Sequence, residues 1–258
     1  MACDICIPGA FPDGDELLTR EEAMFKATFD KAKAELLEDG ATYLHPIFTV
    51  EQVGANLHHG WAFLKPGGVM SLHRHDGAEL FVVYEGQGEL QVEDALTPIN
   101  ELDTILIAAG ADHSLSNSGE RDLTVFWATW KPVGPVLGAE QQLGIMPFER
   151  GRLRPAHMDT FYHFEPFSTE QMGAPARFTT GWGLVGAGVA SELHKHPTAE
   201  LYVFFRGATV QQVGLECAAV KATDSVMVPA ETMHNLLNYT EDEVLLYWIE
   251  VIPGSLPG

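Results

Sequence analysis

The sequence predicts an all-β protein of two tandem barrels, produced by internal duplication and preceded by an N-terminal helix. Two observations predict the barrels. Over residues 43–133 and again over 181–252, apolar residues fall in short alternating or continuous runs separated by glycine-containing turns, which is the pattern of sandwich and barrel strands. In addition, His73, His75, Glu79, Gly86, Asp103 and His113 each recur 121 residues later, as His194, His196, Glu200, Gly207, Asp224 and His234. Trp61 and Trp182, Trp127 and Trp248, and Asn117 and Asn238 keep the same offset. An ungapped correspondence across strands and turns marks a repeated structural unit.

Residues 1–40 read as an arm and a helix. Pro8, Gly9, Pro12 and Gly14 break up the arm, and Thr19-Arg-Glu-Glu22 has the form of a capping box. Leu17, Leu18, Ala23, Phe25, Phe29, Ala32, Leu36 and Leu37 then recur at near-helical spacing up to Gly40, predicting a helix over about 19–38. Residues 41–133 form the first barrel, with strands expected at 59–64, 69–73, 79–84, 88–93, 104–108 and 122–131. Turns such as Glu85-Gly-Gln-Gly88 and Asn117-Ser-Gly119 separate several of them. Residues 134–180 carry more Pro and Gly and weak periodicity, and read as a connector with a pre-barrel segment and one or two helical turns. Within it Phe167-Ser-Thr-Glu-Gln-Met-Gly173 echoes Phe48-Thr-Val-Glu-Gln-Val-Gly54. Residues 181–258 are the second barrel and a tail.

Thirty-six acidic against 15 basic residues leave a net charge of -21. Such a chain repels a phosphate backbone and an anionic membrane surface, so neither nucleic acid nor membrane is an expected partner. No apolar run approaches a membrane span and the first residues lack a basic region followed by an apolar one, so a cytoplasmic protein is expected. Cys3-x-x-Cys6 sits at an extreme terminus and reads as a reduced tail, with Cys217 as a packing residue and no disulfide framework.

The histidines carry the chemistry. Residues two apart on a strand share a face, so His73 with His75, and His194 with His196, can converge on one point. Glu79 and Glu200 follow four residues on, and His113 and His234 come after the strand-like Asp103-Thr-Ile-Leu-Ile and Asp224-Ser-Val-Met-Val. Three imidazoles and one carboxylate suit a divalent first-row transition metal, one per barrel. Ligand type does not choose among Fe, Mn, Ni, Co, Cu and Zn.

The pattern Gly67-x5-His73-x-His75-x3-Glu79-x6-Gly86, repeated as Gly188-x5-His194-x-His196-x3-Glu200-x6-Gly207, resembles the first motif of the cupin superfamily. The second motif is matched in part by Gly110-x2-His113-x3-Asn117 and by Pro229 with His234-x3-Asn238. Ala108 stands where that motif has Pro, and Leu102, Thr223 and Glu231 stand where it has Gly, so the departures fall on turns. The resemblance covers about 61–132 and 182–253 and implies a bicupin of two jelly-roll barrels, each enclosing a metal. It implies no particular reaction.

Alternation from the ligands places Phe81, Val83, Leu115, Asn117 and Ser71 on the first inner face, and Tyr202, Phe204, Leu236, Asn238 and Glu192 on the second. Glu192 is a candidate acid or base, or alternatively a solvent-exposed rim residue; Glu79 and Glu200 are candidates to loosen and take a proton. Arg74 and Lys195 lie between ligands and alternate away from the metal, and Arg206 sits at a hairpin turn. The lack of an inward arginine counts against chemistry on a small dianion. The expected function is a metal-dependent enzyme acting on a small organic molecule, first an oxygenase of dioxygenase type. The alternatives are an isomerase, lyase or decarboxylase, and a non-catalytic small-molecule or metal-binding protein. Exposed sheet edges predict a homo-oligomer. The basic cluster Arg150, Arg152 and Arg154, with His157 and His163 nearby, reads as a salt-bridged surface strip or part of a lid.

Overall fold

The computed structural model describes residues 24–138, 141–156 and 159–258. Its described residues form two seven-stranded sheets and two smaller ones. The first large sheet runs in the order Leu143–Pro147, Asp103–Ile107, Ala78–Glu85, Leu123–Trp130, Leu57–Leu64, Thr42–Pro46 and Glu35–Leu36. The second runs Phe25–Thr28, Asp224–Val228, Ala199–Arg206, Val244–Val251, Thr179–Val185, Phe161–Phe164 and Arg154–Ala156. Facing them are a three-stranded sheet of Ala95–Asn100, Gln87–Val92 and His113–Ser116, and a four-stranded sheet of Val189–Ala190, His234–Asn238, Ala208–Val213 and Glu216–Lys221.

Strand periodicity explains how one sheet serves two cores. Ala78, Leu80 and Val82 pack between the large sheets, whereas Phe81 and Val83 point into the first barrel. Trp61, Phe126, Trp182, Phe205 and Tyr247 all belong to the cluster joining the barrels. Both faces are therefore dry, which is why these strands read as continuous apolar runs instead of a clean alternation. The strand Ala95–Asn100 escaped the sequence reading because it lies at the edge of its sheet, carries Pro98 and buries only Ile99.

The expected N-terminal helix is not formed. Of its residues, 19–23 and the Thr19 capping box lie outside the described part. From Met24 onward the chain makes the strand Phe25–Thr28, a short 3-10 turn at Lys31–Lys33 and the strand Glu35–Leu36. Phe25, Ala27 and Phe29 pack against the inter-barrel core at a period of two, with Phe29 stacked 5.3 Å from Trp61. Phe25–Thr28 pairs with Asp224–Val228, nearly two hundred residues away, and a local reading of spacing cannot see that partner.

That pairing has a counterpart. Leu143–Pro147, which precedes the second repeat, pairs with Asp103–Ile107 of the first, and Pro147 faces Asp103 as Thr28 faces Asp224. Each repeat thus lends its leading strand to the other's sheet. The upstream echo is structural as well. Thr49 and Gln52 form a reciprocal capping box, and Ser168 and Gln171 exchange the same two hydrogen bonds.

The departures from motif glycines fall on left-handed backbone. Leu102 (φ 69°), Thr223 (φ 73°) and Glu231 (φ 60°) keep the turn geometry without the residue that adopts it freely. At Gly86 and Gly207 glycine is required. A Cβ there would meet Asp122 O at 2.5 Å and Glu243 O at 2.4 Å.

Candidate metal centres

Each candidate centre straddles its two sheets. His73 and His113 are opposed in a hydrogen-bonded antiparallel pair, exchanging N–H to carbonyl bonds of 3.0 and 2.8 Å; His194 and His234 do the same at 3.2 and 2.9 Å. Residues so opposed put their side chains on one face. Glu79 and Glu200 come from the large sheets and are buried. The ring-centroid distances nearly repeat: 4.2, 5.2 and 6.0 Å among His73, His113 and His75, and 4.4, 5.0 and 5.7 Å among His194, His234 and His196.

Main-chain carbonyls fix the imidazole tautomers. The Nδ1 atoms of His73, His113, His194 and His234 lie 2.8–2.9 Å from the carbonyl oxygens of Ser71, Ala111, Glu192 and Thr232. A carbonyl only accepts, so each Nδ1 donates and each Nε2 is turned inward. In the first barrel, ligand atoms of His73, His75, Glu79 and His113 all lie within 4.8 Å of one another. In the second, His194, His196 and His234 meet the same condition, as do His196, Glu200 and Glu250. His113 Nε2 is buried with Glu79 Oε2 at 2.9 Å, yet not in hydrogen-bonding geometry. A buried lone pair without a donor is what a cation would satisfy, and the donor set is the one a first-row transition ion takes.

Burial alone would raise the pKa of Glu79, but His113 and His75 hold it below the usual carboxylate range. Burial also opposes ionisation of Glu200, and His196 and His234 overcome it, bringing Glu200 down to about 2. Both carboxylates are therefore ionised when a cation arrives.

The pockets around the two clusters differ. The first is a cavity of about 450 Å³ lined by Leu44, Ala62, Met70, Phe81 and Trp127, with Ser71, Asp39 and Thr129 among its polar groups. The second is smaller, about 190 Å³, and more polar, with His163, Glu165, Ser191 and Glu250 beside the ligands. Tyr202, Leu236 and Trp248 line it as well.

Several inner-face expectations meet a different outcome. Phe81, Ser71, Tyr202 and Leu236 line the pockets. Val83, Leu115 and Phe204 pack in the barrel cores. Asn117 and Asn238 instead clamp turns, Asn117 Nδ2 donating to Leu64 O and Arg121 O, and Asn238 Nδ2 to Gly186 O and Asp242 O. Glu192 is half-buried and is not among the pocket-lining residues; its carbonyl accepts from His194 Nδ1. Trp127 and Trp248 reach the pockets, whereas Trp61 and Trp182 fill the inter-barrel core.

Arg74, Lys195 and Arg206 point outward, near Asp112 (3.7 Å), Glu231 (3.5 Å) and Glu101 (2.6 Å). The basic cluster is surface: Arg150 binds Glu243 in a two-pronged pair and Arg152 binds Glu149. His163 lines the second pocket, and His157 lies outside the described residues. Cys217 is disulfide-bonded, not a packing thiol; its partner lies outside the described residues, as do Cys3 and Cys6.

Sequence reasoning missed Glu250, Thr198 and Glu165. Glu250 was within reach of it. It lies two residues beyond Trp248 on the strand Val244–Val251, hence on the same face, and its counterpart in the first repeat is Thr129.

The sequence model of the Cupin domain family matches residues 60–129. A mannose-1-phosphate guanylyltransferase of Sinorhizobium fredii is 28% identical over 126 residues, 42% of this chain and only 25% of that protein's length. Among solved structures, salicylate 1,2-dioxygenase from Pseudaminobacter salicylatoxidans superposes with a TM-score of 0.71 at 12% identity, covering 92% of this chain and 87% of that one. Oxalate decarboxylase from Lactobacillus farciminis gives 0.65 at 15% identity, with 90% and 87% covered. AerE from Microcystis aeruginosa gives 0.66 at 13%, with 85% and 96% covered. At these identities the likeness is one of fold.

Proposed function

Because this chain belongs to the cupin superfamily, we propose that it is a metal-dependent bicupin enzyme acting on a small organic molecule, first as an oxygenase. The observation that carries this reading is the first-barrel cavity, where a His3Glu cluster opens onto an apolar wall and no Lys or Arg among the described residues lines the space. His73, His75, Glu79 and His113 would hold one ion, and His194, His196, Glu200 and His234 a second. When bound, a divalent first-row ion supplies Lewis acidity and, if redox-active, electrons for dioxygen chemistry.

The chain's own residues do the rest. Phe81, Trp127, Met70 and Leu44 exclude water and favour an apolar or aromatic body, while the open side near His73 and His75 receives a hydroxyl, enol or carbonyl. Glu79, held ionised beside His75 and His113, is the group placed to accept a proton. A small dianion would find no cationic partner in either lining, which sets decarboxylation of such a substrate behind oxygenation. Self-association belongs to the same reading, because both large sheets end on short edge strands, Glu35–Leu36 and Arg154–Ala156.

The test is dioxygen uptake during turnover of neutral aromatic and enolic candidates, with metal analysis alongside. Turnover that continues unchanged without O2 excludes the oxygenase. Conversion by metal-free His75→Ala/His196→Ala protein excludes metal dependence altogether.

A further inference from the structure

The two clusters share their ligands but not what stands behind them. In the second barrel, His196 Nδ1 lies 2.9 Å from Thr198 O and 2.6 Å from Thr198 Oγ1. Thr198 Oγ1 in turn lies 2.7 Å from Glu250 Oε2. One proton arrangement satisfies all three contacts. The carbonyl can only accept, so His196 Nδ1–H donates; Thr198 Oγ1 then accepts from the ring and gives its own proton to Glu250. His196 Nε2 is left facing Glu200 Oε2, 3.1 Å away, and the space where the other imidazoles meet.

The first barrel lacks this chain. Gly77 occupies the position of Thr198 and Thr129 that of Glu250. A Cβ at Gly77 would lie 3.4 Å from His75 Nδ1, so a side chain there would stand beside the ring as Thr198 does, but none is present. His75 is also the more exposed of the two, its side chain 34% accessible against 19% for His196.

We infer that Thr198 and Glu250 are positioning residues that lock and polarise His196, making the second barrel the tighter of two unequal metal sites. The inference rests on the metal-binding reading of both clusters. A hydrogen-bond acceptor on the far nitrogen fixes ring orientation and raises the basicity of the ligating nitrogen, and loss of such partners weakens metal binding about 10–100-fold. The first barrel then exchanges its ion more readily beside the larger, apolar cavity.

The experiment is titration of the full-length protein with Mn2+, reading free ion by electron paramagnetic resonance, with circular dichroism to confirm folding of each variant. Two classes of site are expected. The tighter class should survive His75→Ala and vanish in His196→Ala. In the His75→Ala background, Thr198→Val should weaken it about 10–100-fold, Glu250→Gln should weaken it less, and Thr198→Ser should restore it. Two equal sites, a tighter class that survives His196→Ala, or full affinity in Thr198→Val would overturn this inference while leaving the metal reading intact. No Mn2+ binding by the unmodified protein would overturn both. Retained affinity in Glu250→Gln would remove Glu250 from the assignment.

Discussion

Trp182 Nε1 donates a hydrogen bond of 3.0 Å to Thr104 Oγ1, tying a strand of the second barrel to a strand of the first. Both groups are fully buried in the layer between the two large sheets, where Trp182 also meets Phe205 and Tyr247 edge-on. The bond gives this apolar layer a buried polar lock.

Trp182→Phe keeps most of the apolar area but leaves Thr104 Oγ1 without its donor, at a cost of about 1–3 kcal/mol. Trp182→Ala adds a cavity and should cost about 3–5 kcal/mol. Urea unfolding checks both. Equal midpoints for Trp182→Phe and the parent would show that the bond contributes nothing net.

His59 makes stability depend on pH. It is buried beside Phe48 and Phe126, its Nε2 has no partner among the described residues, and burial pushes its pKa down to about 4. Between that value and about 6.5 the unfolded chain takes up a proton that the folded chain refuses. The contribution is therefore present above about pH 6.5 and is lost as pH falls towards about 4, amounting to about 2 kcal/mol between pH 7 and 5. His59→Gln should flatten the pH dependence by that amount, measured as the difference in unfolding free energy at the two pH values.

Thr223 holds φ 73° with a branched side chain, a conformation costing about 1–2 kcal/mol. Thr223→Gly relieves this against a smaller entropic loss and should raise stability by about 0.5–1 kcal/mol. Gly207→Ala should do the reverse and more, because its Cβ would collide with Glu243 O. Thermal unfolding of the pair tests the sign of each.

Metal removal should lower the melting temperature. An ion at a hundred times its dissociation constant stabilises the folded state by about 2.7 kcal/mol per site. Chelator should shift the parent protein downward and leave His75→Ala/His196→Ala unmoved. A shift of the same size in that double variant would place the stabilising ion elsewhere.

The ligands were legible in the sequence because the repeat doubled every spacing, although His73, His75, His194 and His196 lie outside strands, with His73 and His194 held by isolated bridges to His113 and His234. His73, His75, Glu79 and His113 could thus be named with their counterparts; the structure groups these four, and it groups His194, His196 and His234, with Glu200 falling in a second group beside His196 and Glu250. In the first repeat the alternation located Leu57–Leu64, Ala78–Glu85, Gln87–Val92, Asp103–Ile107 and Leu123–Trp130; the strand expected at 69–73 is only two isolated bridges, His113–Ser116 was not expected, and Pro98 on an exposed edge hid Ala95–Asn100.

What the sequence could not decide depends on contacts between residues far apart in the chain. Phe25–Thr28 carries helix-like spacing locally, but its energy comes from pairing with Asp224–Val228 and from packing against the inter-barrel core. The exchange of leading strands between the barrels, and the layer in which Trp182 reaches Thr104, exist only once both repeats are folded against each other. Glu250 and Thr198 likewise lie fifty-two residues apart, and a single hydroxyl connects them behind His196. The sequence by itself determined two ligand sets at equal spacing. Tertiary structure decided that their surroundings differ, because the size and polarity of each pocket depend on side chains from several strands converging in space.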